Sequence, residues 1–179
     1  MKRATAIGVL AAAVASSAAA WSSSSSSAAG DVEPNTVRAT PAQQLQQARA
    51  ATKRFQSVVV ARRAGYSQSA PCIDGKGIHY RNLKLYREPG VHPARPEMLL
   101  YEPTSKGLVL VGVEYEQPDA DQRLDTNADR PRLFGVRFDG PLDAHPTGPQ
   151  KIHYHLHVWL WKANPSRLTE EFHPKVGCR

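Results

Sequence analysis

One stretch constrains this chain more than any other: Lys151-Ile152-His153-Tyr154-His155-Leu156-His157-Val158-Trp159-Leu160-Trp161. Side chains alternate across a β-strand, so Ile152, Tyr154, Leu156, Val158 and Leu160 fall on one face. His153, His155, His157, Trp159 and Trp161 fall on the other. The run is rich in β-branched and aromatic residues and holds no Gly or Pro, as a strand requires. Its aliphatic face must meet a core. Its second face carries two Trp, whose large apolar rings rarely stand free in water. The strand is therefore expected to be covered on both sides, with imidazoles lining a partly closed, polar space.

The rest of the chain supplies the cover. Lys2 and Arg3 precede an Ala-rich apolar run from Ile7 to Ala20, and Ala18-Ala19-Ala20 offers a small-residue cleavage site, so residues 1–20 read as a signal peptide. The run lacks the ~20 strongly apolar residues of a membrane span, and no Cys follows it as in a lipoprotein. Residues 21–39, with Ser22 to Ser27 at their head, read as a Ser-rich disordered tether. Residues 40–179 are left as a single globular domain, exported to the periplasm or beyond the cell.

Thr40-Pro41-Ala42-Gln43 has the pattern of a capping box with Pro at the first helical position. Leu45, Ala48, Thr52, Phe55 and Val59 then recur at helical spacing, and Gly65 supplies a stop. One amphipathic helix is expected over about 40–64. Strands are expected at 77–82, 98–102, 107–116 and 132–139, the second and third joined by a turn at Thr104-Ser105-Lys106-Gly107. With the His-rich run, this predicts an α+β fold: one N-terminal helix on a mainly antiparallel sheet of about five strands.

Imidazoles at alternate positions suit a transition metal such as Zn or Cu. Neighbours two apart on a strand lie ~7 Å from each other, so His153/His155 or His155/His157 can share an ion, whereas His153 and His157, ~13 Å apart, cannot without a bulge. Further ligands must come from other strands, and His79 and Glu114 suit by type, each being a polar residue inside a short apolar strand. Tyr80, Tyr115 and Tyr154 are candidates for hydrogen bonds behind the ligands. The competing reading is a hydrogen-bonded polar layer with no ion, with Glu114 as an ordinary carboxylate or the partner of Arg137. Trp159 and Trp161 fit either core packing or stacking on a ligand.

Two cysteines, Cys72 and Cys178, are an even count for an oxidising compartment. Paired, they tie the first residues after the N-terminal helix to the chain's end; the alternative is a reactive thiol beside a histidine. The net charge of +7 is spread along the chain without a basic stripe, which argues against nucleic acid as a partner. Asp125-Thr126-Asn127-Ala128-Asp129 resembles the start of a calcium loop, but Arg130 and Val136 replace the Gly and Glu that loop needs. Neither G-x-S-x-G nor H-E-x-x-H occurs.

Several motifs stand along the chain: Gly77-Ile78-His79-Tyr80 with Asn82; Arg95-Pro96-Glu97 with Leu99-Leu100-Tyr101-Glu102-Pro103; Val111-Gly112-Val113-Glu114-Tyr115; and His153-Tyr154 with Leu156-His157-Val158-Trp159-Leu160-Trp161 and Asn164-Pro165. With Cys72, Leu133-Phe134-Gly135 and Cys178, they run from about Ala48 to Cys178. On these motifs the chain resembles a family of uncharacterised exported bacterial proteins. The resemblance implies export and a shared site, and names no reaction. Arg167 and Phe172-His173 depart from the pattern, and His155 lies outside it, so the resemblance favours His79, Glu114, His153 and His157 as the pocket.

Three functions remain open at this point. The first is an exported, disulfide-tied binding protein whose pocket (His79, Tyr80, Glu114, His153, His157 and Trp159) holds a metal ion or small polar ligand, with His155 as a further metal candidate. The second is an envelope hydrolase using His157 or His153 as base and Glu114 as acid or orienting group, for which no nucleophile is recognisable. The third is an envelope interaction module in which the Trp face only packs.

Overall fold

A computed structural model describes residues 38–143 and 151–178. The expected signal peptide and most of the expected tether lie outside the described residues. Thr40 caps the first helix, α1 (Pro41–Thr52), through the expected box: its hydroxyl accepts from Gln43 N–H and its own N–H donates to Gln43 Oε1. A 3-10 turn (Lys53–Gln56) and α2 (Val58–Arg63) follow. The single long helix expected from the spacing is therefore broken. Ser57 is extended (φ −92°, ψ 113°), which rephases the apolar stripe. Val59 consequently turns outward, 50% exposed, and Ala61 takes the buried place. Gly65 ends the segment at φ +93°, and the Asn82 amide donates to Ala64 O beside it.

Two-residue β1 (Ser67–Gln68) precedes β2 (Ile78–Arg81), the four-residue helix α3 (Leu83–Tyr86), β3 (Met98–Thr104) and β4 (Gly107–Pro118). β3 and β4 form the expected hairpin, with Thr104 opposite Gly107 and a register shift at Leu100/Tyr101. The expected strand over 132–139 is instead a small hairpin, β5 (Arg132–Leu133) and β6 (Val136–Arg137), separate from the main sheet. Phe134 and Gly135 form its turn at φ 53° and 81°, a left-handed pair that a continuous strand cannot contain. β7 (Asp139–Leu142) and β8 (His153–Val158) complete an antiparallel sheet in the order β1-β2-β3-β4-β8-β7. The fold is α+β, with six strands in this sheet.

The sheet is buried on both faces. On one, Tyr80, Leu99, Tyr101, Val113, Tyr115, Tyr154, Leu156 and Val158 pack against Ala48, Phe55, Ala61 and Tyr66 of the helical segment. Tyr101 Oη fixes the contact by donating to Phe55 O at 2.6 Å. The other face is crossed by the irregular C-terminal tail, where Trp159 and Val176 pack on Leu100 and Val111. β8 ends at Val158, earlier than expected: Trp159 N–H donates to Leu168 O, and Trp161 N–H to Val111 O. The backbone turn throws Trp161 to the helical side, where its indole N–H donates to Thr52 Oγ1 at 3.2 Å. Trp159 and Trp161 therefore do not share a face.

Cys72 and Cys178 are bonded to each other. The bridge ties the tail to the turn leading into β2, as do Gly75 N–H to Val176 O (2.9 Å), His173 N–H to Gly75 O (2.8 Å) and Cys178 N–H to Asp74 Oδ1 (3.0 Å). The pairing closes a sequence separation of 106 residues. Loop-closure entropy then predicts that Cys72→Ser with Cys178→Ser lowers the unfolding free energy by about 2–5 kcal/mol. Urea denaturation checks this, and a midpoint equal to that of the oxidised protein would contradict it.

Candidate metal centre

Strand pairing decides which side chains meet. Arg81, Met98, Glu114 and His157 lie opposite one another across β2, β3, β4 and β8. On the same face, one row holds Glu116 opposite His155, and another holds His79, Leu100 and Gly112. All of these polar groups are buried. β4 is an interior strand, so Glu114 is neither an exposed edge carboxylate nor a partner of Arg137, which sits on β6.

Glu114 is the hub. Its Oε2 lies 3.3 Å from His79 Nε2 and 3.7 Å from His157 Nε2, while Oε1 lies 3.2 Å from His155 Nδ1. His79, Glu114 and His157 each offer one donor atom, all within 4.8 Å of one another. His153 stands apart: its Nε2 is 3.5 Å from Glu116 Oε1, and its Nδ1 contacts Lys151 O at 2.9 Å. The spacing along β8 foresaw that separation from His157.

Tyr80 is a correction. It follows His79 directly and so faces the opposite side of the sheet, where it packs edge-on against Tyr101 and accepts from Arg62. Period two likewise removes Tyr115 and Tyr154, whose hydroxyls donate to Pro93 O and Asp129 Oδ1. None of the three backs a ligand. Trp159 does adjoin the site, stacked on His157 at 6.4 Å between ring centres, with its indole N–H donating to Glu170 O and His173 edge-on behind it.

Sequence reasoning missed Arg81, Glu116 and Glu97. Arg81 and Glu116 each follow a candidate by two residues, so the alternation that found His79 and Glu114 also pointed to them. Arg81 Nη2 lies 3.0 Å from Glu116 Oε2 and 3.2 Å from Oε1. Glu97 Oε2 accepts from Glu116 N–H at 3.1 Å, and burial pushes its carboxyl up to about 8.

Burial sets the protonation pattern. It lowers His157 to about 3, and lowers His79 and His153 as well, so these rings are neutral near pH 7. Burial also works against a charged His155, but the hydrogen bond and charge of Glu114 outweigh it and raise the ring. Burial alone would raise Glu114, yet the surrounding His157, His155 and His79 hold it well below the ordinary carboxylate range. An ionised carboxylate beside two neutral imidazoles is the protonation state a metal needs.

No protein-family model, curated protein or solved structure matches the chain. The reading of the site therefore rests on its own geometry.

The pH dependence follows from these directions. Between pH 6.5 and about 3 the unfolded chain protonates His157 while the folded one does not, so acid favours unfolding. His79 and His153 act in the same sense. His155 acts oppositely, adding stability below its unfolded value that fades as pH rises through its raised folded value. Glu114 contributes above its unfolded value and loses its contribution as pH falls through its depressed folded one. Chelated protein is expected to lose stability from pH 7 to pH 4, with His157 accounting for up to about 1.4 kcal/mol per pH unit. His157→Gln should flatten the profile of urea midpoint against pH, and a wild-type profile that is already flat would refute a neutral, buried His157.

Proposed function

We propose that this is an exported protein that binds one transition-metal ion, Zn or Cu, through His79, Glu114 and His157. A single observation carries the reading: buried polar atoms crowd one spot without hydrogen-bond partners among the described residues. They are Glu114 Oε2 and His157 Nε2, 3.7 Å apart, with His79 Nε2 reaching within 3.3 Å of the same oxygen. Leaving such groups unsatisfied costs roughly 1–3 kcal/mol each, and a cation bound at the donors would offset that cost. Donors on one tetrahedral Zn lie ~3.3–3.4 Å apart given bonds of ~2.0–2.1 Å, so a set spread within 4.8 Å needs to close by up to roughly 1.5 Å.

Three protein donors leave a further coordination position for water or a small polar ligand. Surface cavities of about 870 Å³ and 400 Å³ are described, and neither is lined by His79, Glu114 or His157. His155, hydrogen-bonded to the other oxygen of Glu114, would orient the carboxylate. Export is supported by the leader read at residues 1–20, by the family resemblance, and by a disulfide suited to an oxidising compartment. Among the described residues no helix is long and apolar enough to cross a membrane.

Protein refolded and dialysed against Zn(II) or Cu(II) should retain one equivalent by elemental analysis. Glu114→Gln and His157→Ala should each weaken binding by at least about 100-fold, and saturating ion should raise the melting temperature of the wild type alone. Retention of no stoichiometric ion would remove the metal reading.

A further inference from the structure

We propose that the Cys72–Cys178 bond is a redox latch on the metal site: a dithiol that reduces it frees the C-terminal tail, uncovers His157 and releases the ion. The ion rests on the metal reading above; the latch rests on how the tail is packed and tied.

Trp159 carries the coupling. It lies stacked on His157, 6.4 Å between ring centres, and the tail holds it there. Its backbone N–H donates to Leu168 O at 2.9 Å and its indole N–H to Glu170 O at 2.6 Å. His173 meets the indole edge-on at 4.9 Å, and Val176 packs against it. Under this cover Trp159 and His157 are each 1% exposed. No helix or strand follows Val158 among the described residues, so residues 164–178 have no ladder of their own to hold them. A chain end of that kind frays unless it is tied down. The tie is Cys178, bonded to Cys72 just before the turn that leads into β2. With the bond intact the tail is a loop pinned at both ends, by β8 and by Cys72. Without it the same residues form a free end, held at the turn by single hydrogen bonds such as Gly75 N–H to Val176 O and Cys178 N–H to Asp74 Oδ1. Each such bond is modest against competition from water.

A reductant can reach the bond. Both cysteines are half-buried, and Cys178 lines the surface cavity of about 870 Å³ with Asp74, Lys175 and Gly177. A thiolate of an external dithiol attacks one sulfur and displaces the other as a thiolate, leaving a mixed disulfide. The dithiol's second thiol then breaks that bond. Two electrons and two protons pass from the dithiol, which departs as its own disulfide, and the protein keeps two cysteine thiols.

A bond that only stabilises the fold makes a different prediction, because the site then stays closed in every molecule that remains folded. Oxidised protein is compared with protein reduced by dithiothreitol and blocked with iodoacetamide, and with Cys72→Ser/Cys178→Ser; neither of the latter keeps a free thiol for zinc. Circular dichroism reports folding, and competition with a chromophoric chelator gives zinc affinity. In metal-free protein, mass spectrometry follows the reaction of His157 with diethyl pyrocarbonate. The blocked form and the variant should each bind zinc at least about tenfold more weakly, the factor for a tail closed a tenth of the time. Both should also modify His157 at least about tenfold faster. Folded forms that match the oxidised protein in either quantity overturn the latch. So does unfolding of both, since the bond would then hold the whole fold rather than the tail. Oxidised protein that binds no zinc defeats the metal reading, and the reactivity of His157 alone then decides whether the bond controls access.

Discussion

A carboxylate buried at the middle of a sheet is the constraint on which the rest of this fold depends. Glu114 sits on an interior strand, and its charge must be met from within. Three imidazoles meet it, from β2 on one side and β8 on the other. That requirement ties register to chemistry, because slipping β8 by one residue would bring Tyr154, Leu156 and Val158 to Glu114 and the histidines to the apolar core. The aliphatic face alone fixes the register, and the carboxylate fixes it again from the other side. Two independent demands then select the same pairing.

Reach across the sheet is a second requirement. His79 is two strands away from Glu114, with Met98 and Leu100 of β3 between them on the same face, so room must be left beside these side chains. Gly112 meets that need in the row of His79 and Leu100. A Cβ there would lie 2.9 Å from Val158 O, 3.2 Å from Trp159 Cε3 and 3.3 Å from Leu100 Cδ1. The missing side chain lets Trp159 lie down beside His157 and lets Leu100 form the floor. The glycine in Val111-Gly112-Val113 is therefore a packing requirement of the site, not a turn signal.

Much of this was legible in local pattern. The two-residue period placed the imidazoles of β8 on one face, the Thr104–Gly107 turn paired β3 with β4, and His79 and Glu114 stood out by type as polar residues inside apolar strands. Alternation carried along the neighbouring strands also excludes Tyr80, Tyr115 and Tyr154 from the site and includes Arg81 and Glu116. Other features lay beyond a pattern. The break at Ser57 leaves no Gly or Pro to mark it, so the helical stripe appeared continuous through Val59. The hairpin over 132–137 depends on Phe134 accepting a left-handed conformation, paid for by its packing against Tyr115 and its N–H donating to Gln44 Oε1 at 2.7 Å. The turn that separates Trp159 from Trp161 is set by where the tail's carbonyls fall, which no local spacing encodes.

The tail also explains why a site built on a sheet can stay dry. An open sheet face leaves its side chains to water, and exposed imidazoles would titrate near their ordinary values. Here Trp159, His173 and Val176 close over the face that carries Glu114 and its histidines, and Lys76 holds Glu171 of the tail at 2.6 Å. The tail has little regular structure with which to hold itself in place, so its position depends on anchors: the Cys72–Cys178 bond and the hydrogen bonds from Gly75 and Asp74. Those anchors sit on the turn that leads directly into β2 and His79. Roof and ligand strand are thus fastened at one point, and the burial that depresses His157 and the reach of His79 to Glu114 depend on the same fastening.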